Sequence, residues 1–435
     1  MGSKIEPWGR LTQRDEPTLH PRFQSDVLRA VNDEGPLLPR GLGRSYGDVG
    51  TAAGQPHLQM TDLDRVISFD RETGRFRAEA GMSLSDMLKV VVPHGFFLPT
   101  TPGSRFVTLG GAVANDVHGK NHHGAGTLGC HVTALELART DGTRHLLTPQ
   151  DESGLFAATI GGLGLTGVIL WVELQLVKVG SSWLDTETLS FDNLNEFMDL
   201  AESSDGLFEH TVSWIDCLAS GKNLGRGIFS RANWSDDGQY KPHDDSSLLR
   251  MPIDLPGFAL NGLSVRMFNT AYHAGQMRKL GQGREHYAPF FYPLDAIGQW
   301  NRMYGSKGFF QYQSVTPMAA GVEPVREMLD LTSSSGQGSF LAVLKTFGNV
   351  SSPGLLSFPF EGLTLALDFP NKGEQTLKLF DRLDSIVTAV GGRIYPAKDA
   401  RMPRALFTQG YPDKEKFLTH RDPGIASDFA ERMFE

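Results

Sequence analysis

The sequence predicts an α+β fold in two unlike parts, and three observations carry that prediction. Over residues 35–180 short extended segments alternate with few helices. Two glycine-dense runs, PRGLGRSYGD at 39–48 and LPTTPGSRFVTLGGAVANDVHGKNHH at 98–123, lie inside that region. After about residue 182 the pattern changes, and helical segments alternate with aromatic-rich strands. Glycine loses more conformational freedom on ordering than any other residue, so a glycine-dense run in a globular chain needs a reason. Close approach of main-chain N–H groups to phosphate or to a flat ring is such a reason. Two runs of this kind imply one large phosphorylated ligand held by both.

The elements follow in order. PHLQMTDL, RVISFDRETG and RFRAEAG, within 56–81, read as short strands. SLSDMLKVVVPHG at 83–95 reads as a helix capped by Ser83 and ended by Gly95. HVTALELARTDGTRHLLTP, from His131, reads as a hairpin around Asp-Gly. Asp151 to Ile160 is a short helix, followed by GGLGLTG and the strand VILWVELQLV. Further on, NLNEFMDLAESS is helical, and FFQYQSVTP, FLAVLKTFG and LTLALDFP are strands. Residues 231–265 are polar, then rich in Pro and Gly, without clear periodicity. They read as a loop, either a cover over a site or a plain surface insertion.

Composition narrows the function. A chain of 435 residues favours two domains at roughly 100–200 residues each. A net charge of −9 argues against a general nucleic-acid surface. The two cysteines, Cys130 and Cys217, make no disulfide framework and no zinc spacing. The start, MGSKIEPWGR, lacks a signal-peptide pattern. The apolar stretch 158–177 carries Glu173 and alternates like a strand, so a buried strand is expected there rather than a membrane span. Gly162, Gly164 and Gly167 match G-x-G-x-x-G, but a helix precedes them and a strand follows. A dinucleotide fingerprint requires the reverse order, so a Rossmann site is rejected.

PRGLGRSYGD, TPGSRFVTLGGAVANDVHGKNHH, GGLGLTG and YPAKDAR together resemble the vanillyl-alcohol-oxidase-type (PCMH-type) flavoproteins. Within them the chain is most similar to the FAD-containing oxidase subunits of polyprenyl-phosphoryl-ribose 2′-epimerases. That similarity extends through FFYPLDAIGQWNRMYGSKGFFQYQ, LSFPFEGLTLALDFP and DPGIASDFAERM. The resemblance implies an FAD domain split in sequence, residues 1–182 and 393–435, with an α+β substrate-binding cap at 183–392. It implies FAD contacts from Arg40, Gly41, Leu42, Gly43, Arg44, Ser45, Tyr46 and Gly47 in the first run. In the second run it implies contacts from Gly103, Thr108, Gly110, Gly111, Asn115 and His118, and elsewhere from Ile169, Tyr395 and Lys398. Many relatives tether the flavin through a histidine where this chain has Arg44, which cannot form that bond. Cys130 lies beyond the loop position where others carry a tethering cysteine. FAD is therefore expected to be non-covalent.

The implied reaction is oxidation of the 2′-hydroxyl of a polyprenyl-phosphoryl-β-D-ribose to the 2′-keto sugar, with hydride passing to flavin N5. A separate NAD(P)H-dependent reductase would complete the conversion to the arabinose form. Lys398 is the first catalytic candidate, because a cation at the flavin N1–C2=O edge stabilises charge as it develops; the plain alternative is a surface lysine paired with Asp399. His118 and Tyr46 are candidate bases, and Tyr46 is equally read as a packed loop anchor. Lys345, between apolar residues, is either a snorkelling edge residue or a buried cation awaiting the sugar phosphate. Gln311 and Gln313 share one strand face and suit sugar hydroxyls, or are half-exposed outer positions. The cluster His118, His122 and His123 sits in a glycine-rich loop, and no metal is expected. Three substrate-pocket positions depart from the family: Ala366 stands for a cysteine, Thr364 for an asparagine and Phe291 for a tyrosine. These changes keep open an oxidase of a soluble sugar, alditol or nucleoside. A flavin-binding module without turnover would not need Lys398, Lys345 and Gln313. A lipid-linked substrate implies peripheral contact with a membrane, and a cytoplasmic or membrane-peripheral location is expected.

Overall fold

The computed structural model describes residues 2–33, 35–245, 249–256 and 261–435. The N-terminal part holds two sheets. Strands Gly2–Ile5, Arg14–Leu19, His57–Gln59 and Leu38–Arg40 form a four-stranded sheet in that spatial order. A five-stranded antiparallel sheet runs Val66–Phe69, Arg75–Glu79, Val168–Gln175, Val132–Ala138, Arg144–Leu147. Its central strand, Val168–Gln175, is buried at every position but the last, which explains why it reads as an apolar run in sequence. No helix among the described residues is long and apolar enough to cross a membrane.

Local chemistry sets these elements. Ser83 accepts from the Asp86 amide and starts the helix Leu84–Val91, and Gly95 closes the turn that follows it in a left-handed conformation at φ 75°. That helix buries Leu84, Met87, Leu88 and Val91 among Phe76, Leu135, Val172 and Leu174 of the sheet. Between Val132–Ala138 and Arg144–Leu147 the Asp-Gly turn places Gly142 at φ 83°, a conformation open to glycine.

The second part is built on an eight-stranded antiparallel sheet. Its order is Gly281–His286, Trp183–Phe191, Gly227–Trp234, His210–Ile215, Ala342–Phe347, Gly362–Pro370, Phe309–Pro317, Arg393–Ile394. The two-residue period divides the central strands cleanly. Leu344, Leu363, Leu365, Leu367 and Phe369 pack with Val325, Met328, Leu379 and Leu383 of the helices Glu323–Ser335 and Glu374–Ala389. Val343, Lys345, Thr364, Ala366, Gln311 and Gln313 face the other way, into a cavity.

The C-terminal residues then return to the N-terminal part. Arg432 reaches Asp48 at 2.7 Å and Asp399 at 2.8 Å, Asp428 accepts from Thr51 Oγ1 at 2.6 Å, and Leu37 bridges Ile425.

The reading of 231–265 as one aperiodic loop is corrected. Arg231–Trp234 complete the strand Gly227–Trp234, Leu249–Arg250 pair in parallel with Ile297–Gly298, and Gly262–Val265 open a helix that runs to Met277. Residues 246–248 and 257–260 lie outside the described residues. The strand is dictated by its antiparallel partners rather than by its own periodicity. The helix escaped notice because Val265 is its only apolar residue buried in the core, while Leu263, Met267 and Met277 are exposed.

Candidate active site

The two glycine-rich runs meet each other in space. A Cβ on Gly41 would stand 2.2 Å from Thr108 Oγ1, so the first loop needs glycine there to lie against the second. Thr108 in turn caps the helix Leu109–Ala114 by accepting from the Gly111 amide. A Cβ on Gly110 would come within 2.8 Å of Ala80, which seats that helix on the five-stranded sheet. Gly103 has no protein atom within 4 Å of where its Cβ would be. Between the loops and the eight-stranded sheet lies a cavity of about 910 Å³, near the upper end of the ~300–1,000 Å³ common for ligand sites.

Every predicted site residue but one lines this cavity. From the first loop come Arg40, Gly41, Leu42, Gly43, Arg44, Ser45 and Tyr46, and from the second Gly103, Thr108, Gly110, Gly111, Asn115 and His118. Ile169, Tyr395 and Lys398 line it from the central strand and the C-terminal return, and Phe291, Gln311, Gln313, Lys345, Thr364 and Ala366 from the second part. Gly47 is the exception. A Cβ there would stand 1.8 Å from the Asp399 carbonyl, so its small size serves packing against the C-terminal return.

The register of the eight-stranded sheet orders this wall of the cavity. Gln313 stands opposite Ala366, Lys345 opposite Thr364, and Gln311 opposite Asp368. Gln313 is buried, and its amide donates to His118 Nε2 at 3.0 Å and to Thr364 Oγ1 at 3.3 Å. Gln311 donates to Asp368 at 2.6 Å. Tyr312, on the opposite face, donates to Asp384 at 3.1 Å. The glutamines therefore point into the cavity and are not outer positions of a half-exposed strand. Phe291 belongs equally to the core, stacked on Phe97 with centroids 5.4 Å apart.

Lys398 is not a surface residue. Its Nζ lies 3.9 Å from the Tyr46 ring centroid, while Asp399 pairs with Arg432 and accepts from the Arg401 and Met402 amides. Burial pulls the Lys398 ammonium down to about 8, against an opposing pull from Asp368 and with a further push down from Lys345. Lys345 donates to the Gly119 carbonyl at 3.2 Å, and burial lowers it to about 8. Burial, then Lys345, holds Lys120 at about 7. Among the described residues none of these three ammonium groups has a carboxylate within 4.0 Å. His118 is packed by Phe347, Phe358 and Tyr395, and burial followed by Lys345 drives its pKa well below 6.5, so the imidazole is neutral. Burial raises the Tyr46 phenol well above 10, so it stays protonated, and its ring packs edge-on against Phe309 at 5.4 Å. Both readings of Tyr46 hold at once: it is a packed anchor and it lines the cavity. His122 packs on Phe347 and His123 reaches the Phe208 carbonyl, and among the described residues no three His, Cys, Asp or Glu side chains converge as a metal site would require.

Some residues in and around the cavity were not foreseen. Trp8 carries the Arg44 guanidinium on its ring at 4.3 Å. Asp368 is fully buried beneath Gln311, and burial raises it to about 7. Arg105, itself buried, pairs with Asp245 at 2.7 Å and Asp295 at 3.6 Å, which ties the second loop to two distant stretches of the chain. Lys120 sits inside HGKNHH, but its neighbours gave no sign that it would be desolvated with only Glu285 opposing the shift. Arg105 and Asp295 stand in quoted motifs, SRF and PLD, yet their pairing across 190 residues has no local signature.

Comparison with known proteins bears on this geometry. Residues 22–148 match the model of an FAD-binding domain family. The chain is 36% identical to the decaprenylphosphoryl-β-D-ribose oxidase of Mycolicibacterium smegmatis, over 99% of this chain and 97% of the relative. The chain belongs to the decaprenylphosphoryl-β-D-ribose oxidase family. It is also 32% identical to an uncharacterized protein of Streptomyces coelicolor, over 81% of this chain, and 31% identical to the L-gulonolactone oxidase of mouse over 37% of it. Members of this family are FAD-dependent oxidoreductases, and the α+β architecture described above is that of a split flavoprotein fold with an added domain.

The residues present fit FAD. The matched segment contains both glycine-rich runs, the cavity has the size for a large ligand, and glycine faces open space at 103. Asn115 Oδ1 and His118 Nδ1 are buried without a partner, as groups awaiting a ligand would be.

Proposed function

We propose that this chain oxidises the 2′-hydroxyl of a polyprenyl-phosphoryl-β-D-ribose, using FAD held without a covalent bond, and that residues 1–182 and 393–435 bind the cofactor while 183–392 cap it. The observation that carries this reading is the cap wall. Partly buried cations with no carboxylate within 4.0 Å among the described residues, Lys345 and Lys120, face the same cavity as the paired amides of Gln311 and Gln313. A desolvated cation with no acid calls for an anion from the ligand, and paired amides suit adjacent hydroxyls. A phosphorylated sugar supplies both.

When bound, FAD would supply the acceptor for the hydride, and with it the two electrons, removed from C2′. Lys345 and Lys120 hold the phosphate, and Gln311 and Gln313 orient the ring hydroxyls. The Gln313 amide donates to His118 Nε2, so that nitrogen carries the lone pair, and a substrate hydroxyl entering between them meets a proton acceptor. Phosphate on Lys345 offsets the charge that depresses His118, which makes the imidazole a stronger base once substrate is present. Tyr46, kept protonated, is a hydrogen-bond donor rather than the base. Lys398 keeps positive charge where negative charge develops. Arg44 stacks on Trp8 and offers no nucleophile for a tether.

Reduction of the keto sugar to the arabinose form falls to a separate NAD(P)H-dependent reductase, since this chain has no nicotinamide fingerprint in strand-to-helix order. A polyprenyl substrate places the chain at a membrane surface as a peripheral protein.

The test is anaerobic mixing of the FAD-loaded protein with a short-chain polyprenyl-phosphoryl ribose while flavin absorbance is followed. Rapid bleaching is expected. No bleaching by a protein whose bound FAD is still photoreducible would overturn the substrate assignment and favour the soluble sugars or alditols that the smaller residues Ala366 and Thr364 admit.

A further inference from the structure

The helix Gly262–Met277 is amphipathic in the wrong sense for a surface helix. Its inward side carries Val265 and Asn269, its two buried residues, and Asn269 donates to Asp216 and to the Ser339 carbonyl. Its outward side is apolar. Leu263 is 69% exposed and Met267 65%, four residues apart on one stripe that Ala271 and Ala274 continue. Phe268 and Met277, also exposed, flank that stripe, and Ile253 stands exposed at 64% in the segment leading to the helix. A surface helix normally buries its apolar stripe and hydrates the other. Exposed apolar groups gathered on one element, rather than scattered singly, mark an interaction surface.

The charge around this face says what it meets. Between Gly262 and Leu280 the sequence carries three cations, Arg266, Arg278 and Lys279, and no acid, in a chain of net charge −9; the acids from other elements that act on the helix, Glu285 at Tyr272 and Asp216 and Asp192 at His273, do so away from Leu263 and Met267. A basic-flanked apolar stripe on an otherwise acidic protein is complementary to an anionic lipid interface: the apolar side chains enter the headgroup boundary and the cations stay with the phosphates. The helix also sits beside the cavity. Phe268 packs on Phe340 with ring centroids 5.0 Å apart, and the next residue, Leu341, lines the cavity. Arg250, three residues before Ile253, lines it too.

We infer that the outward face of the helix Gly262–Met277 docks on an anionic bilayer and sets the cavity beside the membrane that holds the lipid tail of the substrate. The inference rests on the polyprenyl reading above and adds the surface and the lipid charge. Docked in this way, the enzyme receives its sugar headgroup without drawing the tail fully into water.

The experiment is sedimentation of the FAD-loaded full chain with large unilamellar vesicles, either pure phosphatidylcholine or phosphatidylcholine mixed with phosphatidylglycerol. Wild type is expected to sediment with the mixed vesicles, less with the neutral ones, and less again at high salt. The double variant Leu263→Glu, Met267→Glu is expected to lose binding by roughly tenfold or more. Flavin absorbance and unfolding midpoint show that the variant is folded. The docking face is overturned if wild type stays in solution, or if the variant binds as wild type does. It is overturned equally if wild type is a dimer that the variant breaks while neither binds vesicles, since a second copy then covers the face. Bleaching by the short-chain soluble substrate separates this from the proposed reaction: the variant should bleach at the wild-type rate. Failure of both proteins to bleach would count against the reaction alone, while the sedimentation result decides the face.

Discussion

Lys345→Met separates two effects that a single lysine combines. The ammonium is held at about 8 against an ordinary 10.5, and burial is the cause. The folded pKa lies below the unfolded one, so between pH 8 and 10.5 the unfolded chain binds the extra proton. The destabilisation is therefore present in full below pH 8 and fades as pH rises towards 10.5. A shift of that size corresponds to at most about 3 kcal/mol, and loss of the hydrogen bond to the Gly119 carbonyl takes back about 1 kcal/mol. Methionine, of similar length and without charge, should thus stabilise the substrate-free holoenzyme by about 2 kcal/mol at pH 7, and by much less at pH 10. The same change removes a charge-assisted contact worth about 1.5–3 kcal/mol, so binding of a phosphorylated ribose should weaken roughly 10- to 150-fold. Urea unfolding at the two pH values reads the first effect, and an anaerobic bleaching titration reads the second. A variant that is less stable at pH 7, or that binds the phosphorylated sugar as tightly as wild type, would refute the reasoning.

Four further outcomes are expected. Lys398→Ala should keep its FAD yet be reduced by substrate at least about a hundredfold more slowly in stopped flow; unchanged reduction would remove Lys398 from the chemistry. Acid precipitation of the native protein should leave all yellow flavin in the supernatant, and flavin fixed to the pellet would show a tether that Arg44 cannot make. An electrophile aimed at a thiol on the strand Gly362–Pro370 should add no mass there, because Ala366 has none, whereas Ala366→Cys should acquire the adduct; labelling of the native strand in a peptide map would contradict this. Asp116 accepts from the Gly129 amide at 2.8 Å and from the Ser352 and Ser357 hydroxyls, with its backbone at φ 41°. Asp116→Ala should therefore cost about 3 kcal/mol or more, and Asp116→Asn less, because asparagine tolerates that backbone; equal midpoints in denaturant would show that the bonds carry no stability.

Much of the site was legible because its signals are local. Glycine-rich loops announce close backbone approach, the Ser83 cap and the Asp-Gly turn mark their own elements, and Gln311 and Gln313 share a face through the strand period alone. The order of helix, glycines and strand around Gly162–Gly167 was enough to reject a Rossmann site. Other features were hidden. Gly47 stands among ligand-facing glycines, yet its contact is with Asp399, some 350 residues away. Arg231–Trp234 looked like loop, because the hydrogen bonds that make them strand come from Trp183–Phe191 and His210–Ile215. The helix Gly262–Met277 left no core-facing period to read, since Val265 alone of its apolar residues is buried.

By itself the sequence determined the α+β class, the flavoprotein family and a set of site residues of which all but Gly47 line the cavity, because those depend on local backbone chemistry and on motifs of fixed spacing. The tertiary structure alone decided what those side chains are. Lys398 is a desolvated cation over Tyr46, not a surface lysine, and His118 is neutral, only because distant segments exclude water from them. Charge state and exposure are properties of the surroundings, and the surroundings of these groups are assembled from segments far apart in the chain.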